Sequence, residues 1–154
     1  QKLIQKTAKD FACKELLPGV IERDEKKIWP KEAIKKMGKL GFMGMMVDPK
    51  WNGEGLDTVS NSIAMEEISW IDASASVIMS VNNSLVCYLL EKYANNFIKE
   101  KYLKQLATGN KLGAFSLSEP QSGSDASNML AFAKKNGNNY ILNGTKNWVT
   151  SRIH

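Results

Sequence analysis

The chain has 154 residues, a formal net charge of +5, and 43% apolar against 24% charged residues. That length carries one domain with a real core, or one domain and part of another. The single histidine, His154, excludes a His-based catalytic triad or a multi-His metal site, so no metal is expected.

No uninterrupted apolar run reaches the ~18 residues of a membrane span, and no membrane association is expected. No secretory pattern opens the chain, although it starts at Gln1 rather than Met. Cys13 and Cys87 lack metal-ligand spacing and are expected to be buried free thiols. The lysines are scattered, as in Lys26-Lys27, Lys35-Lys36 and Lys134-Lys135. Solvated helix faces explain most of them; collection of an anionic substrate or nucleic acid is the other reading.

The first hundred or so residues carry helical spacing. Leu3, Ala8, Phe11, Ala12 and Leu16 form one stripe, ended by Pro18-Gly19. Pro30 starts another helix, with Ala33, Ile34, Met37 and Leu40 as its apolar face. Turn chemistry fills Asp48-Pro49-Lys50-Trp51-Asn52-Gly53-Glu54-Gly55. The Asp57–Ser60 stretch caps a helix to about Ile71, and Asp72-Ala73-Ser74 breaks and recaps. A helix from Ser76 to about Glu91 is apolar on most sides and is expected to be central and buried. Asn95-Asn96 breaks again, and Phe97 to Ala107 forms the next helix.

From Lys111 the period falls to two. Ala114–Ser118, Met129–Lys135, Tyr140–Asn143 and Thr145–Thr150 are predicted strands, with Asn136-Gly137 near one hairpin tip and Asn143-Gly144 as another turn signal. Helices over about 1–110 followed by strands from 111 argue an α+β chain or two domains. A sheet begun so late has no second face, so the expectation is a fragment cut inside its second domain.

Three local patterns offer chemistry. Ser116 and Ser118, two apart on a strand, put two hydroxyls on one face; a solvent-facing strand is the alternative. In Ser122-Gly123-Ser124-Asp125, Gly lets successive N–H groups converge on a ligand oxygen; an ordinary turn is the alternative. Trp148 and Thr150 set an indole and a hydroxyl on one side, suited to stacking on an aromatic ring system; a core Trp beside a strand Thr is the alternative. Glu119 before Pro120 reads as a loop-fixing acceptor rather than a catalytic base.

The order of these patterns adds more. The blocks Asp48–Asp57, Glu66-Glu67-Ile68-Ser69, Ser80–Leu85, Lys101-Tyr102-Leu103, Gly113–Pro120, Gly123-Ser124-Asp125 and Leu142–Thr150 resemble the acyl-CoA dehydrogenase family along essentially the whole chain. The run Val81-Asn82-Asn83-Ser84-Leu85 is most similar to its short-chain, butyryl-CoA branch.

The resemblance implies a homotetrameric α+β flavoprotein: an N-terminal all-α helical domain over 1–110, the truncated start of an antiparallel β middle domain over 111–154, and a C-terminal helical domain absent here. It implies FAD contacts at Phe115, Ser116, Leu117, Ser118, Gly123, Ser124, Trp148, Val149 and Thr150. Leu117 and Ser118 would meet the flavin's pyrimidine end, with Trp148 beside the ring system and Thr150 toward N5. Ser124, Ile78, Val81 and Leu85 would contact acyl-CoA. The implied activity is α,β-dehydrogenation of a short-chain acyl-CoA to the trans-2-enoyl-CoA, with an electron-transfer flavoprotein as acceptor, in a bacterial cytoplasm or mitochondrial matrix.

The chain departs from the pattern at Asn52, where Gly is usual, and at Ser118, where Thr is common. The family's catalytic Glu lies in the C-terminal domain, so no catalytic residue is assigned in this chain, and it is expected to be inactive alone. Glu66, Glu67, Glu119 and Asp125 read as structural. Rival readings are an acyl-CoA oxidase of the same superfamily, a flavin-binding DNA-associated relative, and a non-enzymatic helical module. The scattered lysines favour no nucleic-acid partner.

Overall fold

The computed structural model describes residues 1–151; His154 lies outside them. The chain divides into two compact units, Gln1–Gly113 and Ala114–His154.

The first unit is helical. It opens with α1 (Lys2–Phe11), which runs on through a π-helical turn, Ala12–Leu16. Gly19, at φ +75°, ends this run, as the Pro18-Gly19 pair predicts. A short α2 (Val20–Lys26) follows, which the sequence reading missed. It has no buried residue and therefore no apolar stripe to find. Then come α3 (Lys31–Lys39), α4 (Thr58–Ile71), α5 (Ala73–Ser80), a second π turn (Val81–Cys87) and α6 (Tyr88–Tyr93). Finally α7 (Asn96–Ile98) leads through a third π turn (Lys99–Leu103) into α8 (Lys104–Ala107).

The caps expected at Asp57 and Asp72 are present, and Asn95 adds a third. Asp57 accepts from Ser60 N at 2.7 Å, Asp72 from Ala75 N at 3.0 Å, and Asn95 from Ile98 N at 3.0 Å. The Ser60 amide holds the Asp57 carboxyl below its ordinary range.

α1 packs on α4, and α4 on α5. Their shared core holds Ala8, Phe11, Leu16, Met37, Ile68 and Met79. A second cluster gathers Val47, Trp51, Cys87, Leu103 and Leu106. Gly38 is small for a reason: a Cβ there would strike Thr108 O and sit 3.2 Å from Gly109 Cα.

The continuous helix Ala73–Tyr93 is long and apolar enough to cross a membrane by length and composition. It serves instead as a core helix of this unit. The expectation of burial on most sides needs correction. Ala75, Ile78, Met79, Asn82, Asn83 and Cys87 face inward, whereas Val77, Leu85, Tyr88 and Leu89 are exposed. The slower rotation per residue of the Val81–Cys87 π turn keeps Cys87 on the same face as the two asparagines.

Those adjacent asparagines are each 1% exposed and fully engaged. Asn82 donates to Met43 O (2.8 Å) and Leu106 O (3.0 Å) and accepts from Gly113 N (3.0 Å). Asn83 donates to Phe42 O (2.8 Å) and Met79 O (3.0 Å) and accepts from Met45 N (2.8 Å). They satisfy backbone groups of the irregular 42–45 segment, which has no helix or strand to pair with.

The thiols divide. Cys87 is buried, and burial pushes its pKa up to about 12. Cys13 is exposed, contrary to expectation, because the inward positions of its turn are taken by Ala12 and Leu16.

The second unit contains an antiparallel hairpin, β1 (Phe132–Asn136) and β2 (Asn139–Asn143), with Phe132 opposite Asn143 and Asn136 opposite Asn139. Its tip includes Gly137 at φ +60°. Two predicted strands do not form among the described residues. Ala114–Ser118 and Thr145–Thr150 form no strand ladder, because no neighbouring strand supplies one. Asn143-Gly144 is not a hairpin turn: Gly144, at φ +146°, lets the backbone press against Ala131.

Candidate functional site

The second unit is organised around one carboxylate. Glu119 is only 5% exposed. It accepts from Lys146 Nζ at 2.8 Å, Leu130 N at 2.7 Å, Ala131 N at 3.0 Å and Gln121 Nε2 at 2.6 Å. The Lys146 ammonium, reinforced by the Leu130 amide and by Gln121 and Ala131, holds its pKa down to about 2 against the opposing effect of burial. Glu119 is thus ionised at neutral pH and fully occupied, as a loop-fixing acceptor should be. It has no lone pair to spare for a substrate proton.

Lys146 reaches further. Its Nζ also donates to Leu117 O at 2.8 Å, and the next residue, Asn147, donates its N–H to Ser118 O at 2.8 Å. These two bonds join segments about thirty positions apart in sequence. Leu117–Ser118 and Lys146–Asn147, which precede Trp148–Thr150 directly, are therefore brought together within this unit. They meet as irregular segments, so the shared strand face expected for Ser116 with Ser118, and for Trp148 with Thr150, does not arise.

At Leu117 and Ser118 the backbone bonding is one-sided. The carbonyls of Leu117 and Ser118 are satisfied, whereas the N–H groups of Leu117, Ser118, Gly123 and Ser124 have no acceptor among the described residues. The Ser122–Asp125 turn is fixed by a mutual backbone pair between Glu119 and Ser122 and by Ser122 Oγ donating to Asp125 O at 2.6 Å. Nothing lies within 4 Å of where a Gly123 side chain would begin. The turn faces open space with its amides available.

Trp148 is 92% exposed and adopts φ +56°. A bulky residue rarely takes that conformation, and holding it costs on the order of 1 kcal/mol. The core-Trp alternative is excluded for this unit. Val149 and Thr150 are half-buried, as are Phe115 and Ser118; Ser116 is exposed.

The residues expected at acyl-CoA divide between the units. Ile78 is buried in the helical core, Val81 is half-buried and Leu85 is exposed, while Ser124 lies in the second unit. A groove of about 440 Å³ between α1 and α3 is floored by Phe11 and Leu40, and none of the expected site residues lines it. Among the described residues no cluster of His, Cys, Asp and Glu could hold a metal ion.

Two family models match the chain in succession: acyl-CoA dehydrogenase, N-terminal domain, over residues 1–110, and acyl-CoA dehydrogenase, middle domain, over residues 114–152. The chain belongs to the acyl-CoA dehydrogenase family.

It is 42% identical over 150 residues to the short-chain specific acyl-CoA dehydrogenase of rat mitochondria (Rattus norvegicus), covering 97% of this chain and 36% of that protein. The chain therefore spans little more than a third of the length of that curated relative. Butyryl-CoA dehydrogenase from Megasphaera elsdenii superposes with a TM-score of 0.91 at 38% identity, over 96% of this chain and 40% of that one. An acyl-CoA dehydrogenase from Bacillus anthracis solved in complex with FAD gives a TM-score of 0.88 at 34% identity, over 96% of this chain and 26% of that one.

Within this acyl-CoA dehydrogenase chain, the reading from sequence named Glu119 as a loop-fixing acceptor but missed its partner. Lys146 stands in the Leu142–Thr150 block that carried the family resemblance, yet no local rule pairs a lysine with a carboxylate 27 positions away.

Proposed function

We propose that the whole protein carrying this chain is an FAD-dependent acyl-CoA dehydrogenase that converts a short-chain acyl-CoA to its trans-2-enoyl-CoA. On this reading residues 1–110 are its N-terminal helical domain and residues 111–154 begin its middle β-domain. A C-terminal helical domain supplies the catalytic base.

One observation carries the cofactor assignment: an amide edge with free donors at Leu117, Ser118, Gly123 and Ser124, in one unit with an uncovered indole. That donor set fits FAD. The pyrimidine edge and pyrophosphate of FAD are rich in acceptors, and its ring system offers a flat apolar face. Phe115, Ser116, Leu117, Ser118, Gly123, Ser124, Trp148, Val149 and Thr150 would hold it. When bound, the flavin takes up the hydride equivalent released from the acyl β-carbon. This chain's own residues bind and orient; within the second unit Ser124 would also contact acyl-CoA. Glu119 takes no part in proton removal, since its oxygens are committed.

The reading extends to an electron-transfer flavoprotein as acceptor, a homotetramer, and a bacterial cytoplasm or mitochondrial matrix. The 154-residue chain by itself is inactive on this reading, because none of its carboxylates is assigned as the base.

The test is anaerobic addition of butyryl-CoA to the flavin-loaded full-length protein. Bleaching of the flavin absorbance with formation of crotonyl-CoA is expected. An unbleached spectrum, or crotonyl-CoA formation by the 154-residue chain alone, would overturn the corresponding part. Rapid reoxidation by dioxygen would instead favour an oxidase.

A further inference from the structure

We infer that Glu119 and Lys146 form a positioning pair that leaves the Leu117–Ser118 backbone with free donors but no free carbonyl and holds Asn147, next to Trp148 in the chain, against it. The inference rests on the flavin reading for its functional consequence, but its geometry stands within one unit.

An unpaired strand end exposes carbonyls and amides alike, and would meet an acceptor-rich ligand edge with repulsion as well as attraction. Here the repulsive half is removed. Lys146 Nζ occupies Leu117 O at 2.8 Å and the Asn147 amide occupies Ser118 O at 2.8 Å. What is left unpaired on these two residues' backbone, among the described residues, is N–H.

Lys146 can do this because its own charge is answered. Its ammonium lies 2.8 Å from a Glu119 carboxylate whose side chain is 2% exposed. The same carboxylate accepts from the Leu130 and Ala131 amides, which lead into β1. One buried anion therefore ties three stretches: the 117–119 edge, the entry to the hairpin, and the 146–148 segment. A lysine held by the carboxylate alone would fix only itself; the second bond, to Leu117 O, transmits the position to the edge.

The chemistry of each group is specific. Arginine can replace Lys146, since it keeps a charged donor to both oxygens. Methionine cannot: it frees Leu117 O and strands a buried carboxylate. Reversal of the pair, Glu119→Lys with Lys146→Glu, does not restore the arrangement, because lysine has no acceptor for the Leu130 and Ala131 amides.

Two measurements on the full-length protein test this. The first needs no cofactor: hydrogen exchange of the Asn147 amide in the unsubstituted protein, K146R and K146M. Exchange about tenfold or more faster in K146M, with K146R close to the unsubstituted protein, is expected for loss of one charge-assisted anchor. Unchanged exchange in a folded K146M would overturn the inference. If K146M fails to fold, the double variant Glu119→Gln with Lys146→Met, which buries no unpaired charge and keeps an acceptor for the Leu130 and Ala131 amides, decides: Asn147 exchange unchanged overturns the inference, and faster Asn147 exchange with Leu130 and Ala131 still protected supports it.

The second is FAD titration. An about tenfold weaker dissociation constant and a shifted flavin spectrum are expected for K146M, while K146R keeps both. Wild-type affinity and spectrum in K146M would overturn the functional role. Failure of the unsubstituted protein to bind FAD would refute the flavin reading instead, and the exchange measurement would still judge the pair.

Discussion

Replacement of Asn83 by leucine probes the helical unit most sharply. The two side chains are similar in size, so little cavity is created. What changes is polarity. Asn83 is 1% exposed, and its amide is the partner of Met45 N at 2.8 Å and Phe42 O at 2.8 Å. Neither group has another hydrogen bond among the described residues, whereas the third partner, Met79 O, lies inside a helix. Two buried backbone groups lose their partners, at about 1–3 kcal/mol each, or about 2–6 kcal/mol in all. A domain of this size holds only about 5–15 kcal/mol. Thermal unfolding followed by far-UV circular dichroism is expected to shift down by about 10 °C or more. Asn83→Asp is expected to be no better at neutral pH, since it sets an acceptor against the Phe42 and Met79 carbonyls. A leucine variant melting within about 2 °C of the parent would refute the reasoning, because surface changes do that much.

Three other outcomes follow from individual contacts. Glu119, held at about 2 against an ordinary 4.5, stabilises the second unit fully above the unfolded value, and that contribution is lost as pH falls from 4.5 toward 2. Amide signals of Leu130 and Ala131 followed by NMR should therefore persist at pH 4 and be perturbed near the lower value; a midpoint above 4 would contradict this. A thiol reagent at mild alkaline pH should modify Cys13 alone in the folded chain and Cys87 as well in denaturant, since burial pushes Cys87 up to about 12; fast native labelling of Cys87 would be inconsistent with its packing. Gly38→Ala should destabilise by about 1–3 kcal/mol because its methyl meets the Thr108 carbonyl, while Gly123→Ala, with nothing within 4 Å, should leave the melting temperature nearly unchanged; equal effects would reverse the account of those two glycines.

The helical half was legible because its signals are local. Asp57, Asp72 and Asn95 each cap a helix with a bond to an amide three residues on, and the Pro18-Gly19 stop needs only its own neighbourhood. The helix α2 lay outside that reach because it buries nothing. The exposed face of Ala73–Tyr93 was missed for the opposite reason: an all-round apolar sequence cannot show which side has a neighbour. In the second unit, alternation at Ala114–Ser118 predicts a strand, but a strand is completed by its partner and none is described beside it. The family motifs at Leu117–Pro120 and Gly123-Ser124-Asp125 lie in the second unit, around the Glu119 cluster. The Lys146 bridge that unites it with Trp148 spans 27–29 positions and leaves no periodic trace.

On the proposed reading, the free amides of Leu117, Ser118, Gly123 and Ser124 and the segment Trp148–Thr150 hold one flavin together. Hydrogen exchange of the full-length protein with and without FAD measures this directly. The account expects slowed exchange at both stretches on the same FAD titration curve. FAD binding that leaves either stretch unprotected would contradict it.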